Sequence, residues 1–239
     1  MKSRLTKLII FVLVGLIPVG AVQGQFHEEF ESGQSSWQRH ETDCAITQAS
    51  WIQRRFREPD SNNGCESVHF TNGPGTKIYL SHKVSPAFVI SELNPSVRIK
   101  ATRPGVQLMA RIVLPHAPSP SGEGPLTTML AGPKYEGRGR WETLSFEKKS
   151  FDLQRQLTER VWLLRRKYGS RVDQRDAYVD KLVLNLYSGP GKTAVQIDDL
   201  KLNGIVAADA IADGVAASDS MVVKDAHLRP ASFEVTDEK

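Results

Sequence analysis

Between residues 26 and 206 the apolar positions come in short runs rich in β-branched and aromatic side chains, with Gly, Pro and Asn between them. The clearest runs cover 77–80, 88–90, 96–101, 106–114, 141–146, 178–187 and 193–202. In the third, Val97, Ile99 and Ala101 alternate with Ser96, Arg98 and Lys100, the period of two of a strand with one buried and one wetted face. The fourth, VQLMARIVL, is nearly all apolar and is expected mid-sheet. Many short strands with turn signals between them predict a mainly β protein, a two-sheet antiparallel jelly-roll sandwich.

One segment has a different period. Over about 151–168, Leu153, Leu157, Val161, Leu164 and Tyr168 fall on one helical face. Ser150 stands where a cap is needed, Asp152 in the first turn, Arg165, Arg166 and Lys167 in the last, and Gly169 just after. The expectation is an amphipathic helix packed on the sandwich, its basic end favoured by the helix dipole. Contact with an anionic partner is the other reading. Trp162 in this helix, and Trp37 near the first strand, are assigned to packing. Residues 115–125 (PHAPSPSGEGP) read as a surface loop, and 207–239 as a linker or disordered tail.

The N-terminus changes how the charge is read. Lys2, Arg4 and Lys7 precede an apolar stretch at 8–21, and small residues follow before Gln25. Residues 1–24 are thus expected to be a signal peptide and 25–206 the sandwich domain. The destination would be periplasm, cell surface or extracellular space, with membrane contact only through an uncleaved leader. Three of the 31 basic residues sit in that leader, leaving 28 against 27 acidic ones. The net charge of +4 is therefore no footprint for nucleic acid. Cys44 and Cys65, the two cysteines, are expected to form a structural disulfide in an oxidising compartment, closing a loop of about 20 residues.

The stretch SGPGKTAVQIDD at 188–199 resembles a phosphate-binding loop. That pattern needs a glycine where Leu186 stands, and a helix where Thr193 to Ile197 read as a strand. The expectation is a hairpin turn between the last two strands. Within the second of these, Val195 and Ile197 differ in parity from Leu200 and Leu202, which a bulge at Asp198-Asp199 would reconcile.

Phe30-Glu31-Ser32-Gly33 with Trp37, and Ile197-Asp198-Asp199-Leu200, resemble the first and last strands of galactose-binding-like jelly rolls, to which many carbohydrate-binding modules belong. The resemblance implies a structural Ca²⁺ held by Glu31 and by Asp198 or Asp199 together with backbone carbonyls. Residues 30–206 also resemble the N-terminal region of large, uncharacterised exported bacterial proteins. The stretches that carry this likeness are Glu41-Thr42-Asp43-Cys44, Tyr79-Leu80-Ser81-His82, Glu92 to Val97, Leu126 to Leu130, Gly139-Arg140-Trp141 and Ala177 to Asp180. In that family the jelly-roll-like part precedes a larger region resembling glycoside hydrolases.

Sugar-binding sandwiches offer flat aromatic faces to pyranose rings, and the candidates are Trp51, Tyr79, Trp141 and Tyr187. For each of them, packing in the core is the competing reading. Asp173, Asp176 and Asp180 lie close in sequence, but no catalytic pair, metal motif or serine elbow is recognisable. The sequence points to an exported, non-catalytic carbohydrate-binding accessory module with a polysaccharide or glycan partner. The alternatives are a structural or protein-interaction sandwich without a sugar site, and a glycoside hydrolase.

Overall fold

The computed structural model describes residues 22–31, 35–56, 63–147, 152–169 and 171–206. These described residues build eleven strands and one helix. They are β1 (Val22–Glu28), β2 (Gln38–Thr42), β3 (Ile46–Phe56), β4 (Gly64–Asn72), β5 (Ile78–Phe88), β6 (Asn94–Ala101), β7 (Gln107–Pro118), β8 (Pro125–Lys134), β9 (Glu142–Ser145), α1 (Leu153–Tyr168), β10 (Tyr178–Asn185) and β11 (Gly191–Val206). The strands form two antiparallel sheets. One runs β3-β4-β11-β6-β9, with β1 also on β11; the other runs β2-β5-β10-β7-β8. This is the predicted mainly β sandwich with one helix.

Alternation dictates which side chains meet between the sheets. Val97, Ile99 and Ala101 of β6 and Val195 and Ile197 of β11 face Leu80 and Val84 of β5, Leu108, Ala110 and Ile112 of β7, and Leu182 and Leu184 of β10. Each such aliphatic side chain, fully buried, stabilises the fold by about 1.5–3 kcal/mol. His82 also points inward, its ring edge-on to Phe26, Phe30 and Trp37 at centroid distances of 5.6, 6.3 and 5.3 Å. Trp37 is buried, as assigned from sequence.

The register of β11 explains its change of parity. Residues 191–197 pair with β4, residues 200–206 pair with β1, and β6 runs along the opposite edge with a register shift between Asp198 and Lys201. Asp199 takes a left-handed φ of 46° at this bulge. Val195, Ile197, Leu200 and Leu202 consequently all reach the same core.

The turn at 188–191 is not a hairpin. β10 belongs to the five-stranded sheet and β11 to the other, so this segment carries the chain across the sandwich. Gly189 and Gly191 adopt φ of 90° and 118°, and Arg103 Nη1 donates to the carbonyls of Gly189 (3.1 Å) and Pro190 (2.9 Å). A strand, not a helix, follows Lys192, so nothing here cradles phosphate. The predicted loop at 115–125 is shorter than expected, because β7 continues to Pro118 as an edge-paired extension and β8 resumes at Pro125.

α1 buries Leu153, Leu157 and Val161 and lies against β8, where Arg160 Nη2 reaches the Met129 carbonyl at 3.5 Å. Its cap is Asp152, which accepts the Arg155 N–H at 3.0 Å, in place of the expected Ser150. The N–H of Gly169 closes the other end on the Arg165 carbonyl at 2.9 Å. Trp162 does not pack: it is 58% exposed, with the Arg166 guanidinium 5.0 Å from its ring centre. Tyr168 is also exposed, so the buried stripe ends a turn earlier than its periodicity predicts. Among the described residues no helix is long and apolar enough to cross a membrane.

The expected disulfide is not present. Cys44 precedes β3, with its Sγ beside Asp43 and the Lys77 carbonyl, whereas Cys65 opens β4. The hairpin register sets Ile46 opposite Asn72 and Arg55 opposite Cys65, at opposite ends of the β3–β4 ladder. Asn72 is seven steps along the strand from Cys65, a run of roughly 23 Å, far beyond the ~7 Å between α-carbons that a disulfide tolerates. Sequence spacing suggested a closed loop; an extended hairpin holds its ends apart.

Candidate functional site

The solvent side of the five-stranded sheet gathers the side chains best suited to hold a ligand. Tyr79, Ser81 and Lys83 of β5 alternate with the inward Leu80, His82 and Val84. β10 contributes Tyr178, Asp180, Lys181 and Val183, and β7 contributes Met109, Arg111 and Val113. Met129 of β8 extends the row from Arg111. Val113 and Val183 are buried on this side, apart from the core cluster between the sheets, and form an apolar floor.

A bulge shapes the centre. The pairing of β10 with both neighbours shifts between Val179 and Lys181, so Asp180 and Lys181 emerge on the same side of the sheet. Asp180 meets Arg111 head-on: Arg111 Nε donates to Oδ1 at 2.8 Å, and Nη2 donates to Oδ2. Both side chains are less than a fifth exposed, so the pair is largely shielded from water. Burial and then the Asp180 charge push the Tyr178 hydroxyl pKa up. Burial followed by the Arg111 charge lowers that of Lys181. His40, on the edge strand β2, is also held below its usual range, first by desolvation and then by Lys181 and Arg111. These couplings place Tyr178, Asp180, Arg111, Lys181 and His40 in one electrostatic neighbourhood.

Two aromatic rings bound this neighbourhood. Tyr79 pairs across to Asn185 and Tyr178 to Phe88, so they occupy opposite ends of adjacent strands, about 20 Å apart along the sheet. Tyr79 shares a depression with Arg39, His40, Glu41 and Thr42 of β2. Its ring lies 5.9 Å from the Lys77 ammonium, which Glu41 pairs.

The other sequence candidates lie elsewhere. Trp141 is on the six-stranded sheet, where Arg98 and Lys100 approach its ring at 5.5 and 6.0 Å. Tyr187 packs against the core beyond β10, its hydroxyl accepting the Gly75 N–H at 3.3 Å. The backbone of Trp51 is in β3, and its side chain falls outside the described residues. Of the three whose side chains are described, Tyr79 alone faces the cluster. Tyr178 was hidden at the start of a strand read for its apolar content, and Arg111 inside a run read as mid-sheet. In β7 the signal is Gln107 and Arg111, of one parity in an otherwise apolar run.

The carboxylates of the implied cation site diverge. Asp199 turns outward to Arg98 Nη1 (3.2 Å) and His27 Nε2 (3.4 Å), while Asp198 is buried and its Oδ1 accepts the Asp199 N–H at 2.7 Å. Glu31 Oε1 accepts the Gly64 N–H at 2.8 Å, tying the end of β1 to the start of β4. Among the described residues no three His, Cys, Asp or Glu side chains come together as a metal-ligand set. Of the two aspartates, Asp199 has its charge met by an arginine and a histidine. The aspartates grouped in sequence are committed too: Asp173 to Arg175, Asp176 to His116 and Asp180 to Arg111.

No family model matches the chain, and no curated protein matches it. Among solved structures, it is similar to a family 11 carbohydrate-binding module from Clostridium thermocellum in complex with a beta-1,3-1,4-mixed-linked tetrasaccharide. Identity is 13%, the TM-score is 0.43, and the match covers 78% of this chain and 99% of that one. A CBM22-1 xylan-binding domain from Paenibacillus barcinonensis matches at 13% identity and TM-score 0.40, covering 79% and 99%. The CBM22-1–GH10 modules of a Clostridium thermocellum endo-1,4-beta-D-xylanase, complexed with xylohexaose, match at 12% identity and TM-score 0.44. There the match covers 75% of this chain and 28% of the xylanase chain. The resemblance is to carbohydrate-binding β-sandwich modules in overall shape.

Proposed function

We propose that the chain is an exported, non-catalytic carbohydrate-binding module whose ligand lies along the solvent side of β5, β10 and β7. The observation that carries this reading is the placement of Tyr79 and Tyr178 at the two ends of one sheet face. An apolar floor and a shielded Arg111–Asp180 pair lie between them. Aromatic rings stack on the apolar faces of sugars, and fixed charged hydrogen-bonding groups orient their hydroxyls. The reach between the two rings suits an oligosaccharide better than a single sugar.

Affinity electrophoresis of the chain against a panel of soluble polysaccharides tests this. Retardation by at least one glycan, lost in Tyr79→Ala and Tyr178→Ala but kept in Trp141→Ala, supports it. Retardation lost only in Trp141→Ala would move the site to the other sheet. A second reading, a protein-interaction domain, is favoured by one feature: Trp162, Leu163 and Tyr168 are each exposed on α1. Failure of every glycan to retard a folded chain would leave that reading in place.

A further inference from the structure

Among the described residues, the large apolar side chains left exposed are Trp162, Leu163 and Tyr168, and all three belong to α1. Apolar exposure gathered on one element marks a contact surface. Arg166 follows Leu163 by three residues and Trp162 by four, so these three share one arc of the helix. That arc is turned away from Leu153, Leu157 and Val161, the side chains that hold α1 to the sandwich. The same helix carries positive charge that no carboxylate among the described residues matches. Its own acids are committed, Asp152 to the N-terminal cap and Glu159 to Arg155 at 3.5 Å, and β8 beneath it has none. Arg160 and Arg165 donate to the carbonyls of Met129 and Val172, while Arg166 and Lys167 stand 5.0 Å from the ring centres of Trp162 and Tyr168. All four of these residues are exposed. The helix dipole favours cations in the last turn, but it gives no reason for Trp162 and Leu163 to stand beside them.

We propose that α1 is a membrane-surface contact that rests on an anionic lipid leaflet. Trp162 and Leu163 enter the boundary between headgroups and acyl chains, and Arg166 and Lys167 meet the lipid phosphates beside them. No helix among the described residues is long and apolar enough to cross a membrane, so the contact is interfacial. The chemistry of the patch selects this partner. A soluble polyanion would meet the four charges and leave Leu163 in water. An apolar protein groove would take Trp162 and Leu163 but would have to desolvate Arg166 between them. A leaflet offers both surfaces at once, and its negative potential is worth about fivefold in affinity for each cation brought near it. These residues are distinct from those of the proposed glycan face, so either reading can fail without the other.

The test reads Trp162 fluorescence of the full chain with vesicles of brominated phosphatidylcholine, either alone or mixed with phosphatidylglycerol. Subtracting the signal of Trp162→Phe isolates this ring, so adsorption through the apolar stretch at 8–21 does not count. Quenching should appear on the mixed vesicles, be absent on phosphatidylcholine alone and weaken with added salt. Arg166→Gln combined with Lys167→Gln should raise the lipid concentration for half-quenching about 25-fold, at roughly fivefold per cation. Lys100→Gln on the six-stranded sheet should leave it unchanged. Equal quenching on both vesicle types, or no shift in the double variant, overturns the proposal. So does the absence of quenching on either vesicle; if dextran sulfate then binds with the same dependence on Arg166 and Lys167, the patch is a polyanion site instead.

Discussion

Arg111 and Asp180 form a two-pronged ion pair on the open side of the five-stranded sheet, brought together by a bulge in β10. The bulge lets both side chains stay outside: under strict alternation either Asp180 or Lys181 would project into the core that Val179 and Leu182 fill. Asp180→Asn keeps the shape but leaves a shielded guanidinium without its counter-charge. It should cost about 1–3 kcal/mol in chemical denaturation, more than an ordinary surface change. An unchanged midpoint would show the pair to be water-screened and of little structural weight.

Tyr79→Ala and Tyr178→Ala should each weaken glycan binding by about tenfold, or ~1.4 kcal/mol, with little change in melting temperature. Trp141→Ala should do the reverse, because Arg98 and Lys100 already lie over that ring. Calorimetric titration with whichever glycan retards the chain checks both halves.

The thiols offer an independent check on the strand register. Intact-mass measurement should give the reduced mass, and the unfolding midpoint should be the same with and without dithiothreitol. A loss of two mass units, or a midpoint that drops on reduction, would contradict the separation of Cys44 and Cys65 along the β3–β4 hairpin.

Acid should loosen one loop pair before the core. The Asp43 carboxylate accepts the Thr76 hydroxyl and the N–H groups of Thr76 and Lys77, both at 2.9 Å. These bonds, the Thr76 hydroxyl first, hold its pKa far below the ordinary carboxylate range. A group whose native pKa is depressed contributes stability above its unfolded value, about 3.9, and loses it as pH falls from there toward the native value. The protection factors of the Thr76 and Lys77 amides, taken against the intrinsic rate at each pH, should therefore fall below about pH 4, and in Asp43→Asn they should be low already at neutral pH. Exchange in Asp43→Asn identical to that of the parent would remove the carboxylate from the explanation.

Trp162→Ala should change stability by no more than about 0.5 kcal/mol, because the ring contacts solvent and Arg166 and not the core. Iodide should quench its fluorescence, whereas Trp37 should resist. A large destabilisation would mean that α1 packs through Trp162 after all.

Periodicity exposed much of the fold. β6 could be read from Val97, Ile99 and Ala101, α1 from Leu153, Leu157 and Val161, and the bulge at Asp199 from the parity of Ile197 and Leu200. Long-range pairing was not legible. Whether Ser188 to Gly191 turned a hairpin or crossed between sheets depended on which strands flank β10 and β11, and local sequence does not encode that. The same limit produced the disulfide expectation, since sequence distance says nothing of the ladder between Cys44 and Cys65. The site was hidden for a related reason. Lys83, Lys181 and Arg111 are scattered along the chain and become a row only through register. Trp51 and Trp141 drew attention as tryptophans, although residue type alone does not say which sheet face a ring occupies.

The most direct test of a ligand face on β5, β10 and β7 is a two-dimensional NMR titration of the isotope-labelled chain with an oligosaccharide cut from a retarding glycan. Shift changes concentrated at Tyr79, Lys83, Met109, Arg111, Tyr178 and Lys181 are the predicted result. Changes centred on Ser67, His69, Lys100 and Gln196 of the opposite sheet, or confined to α1 around Trp162, would contradict it.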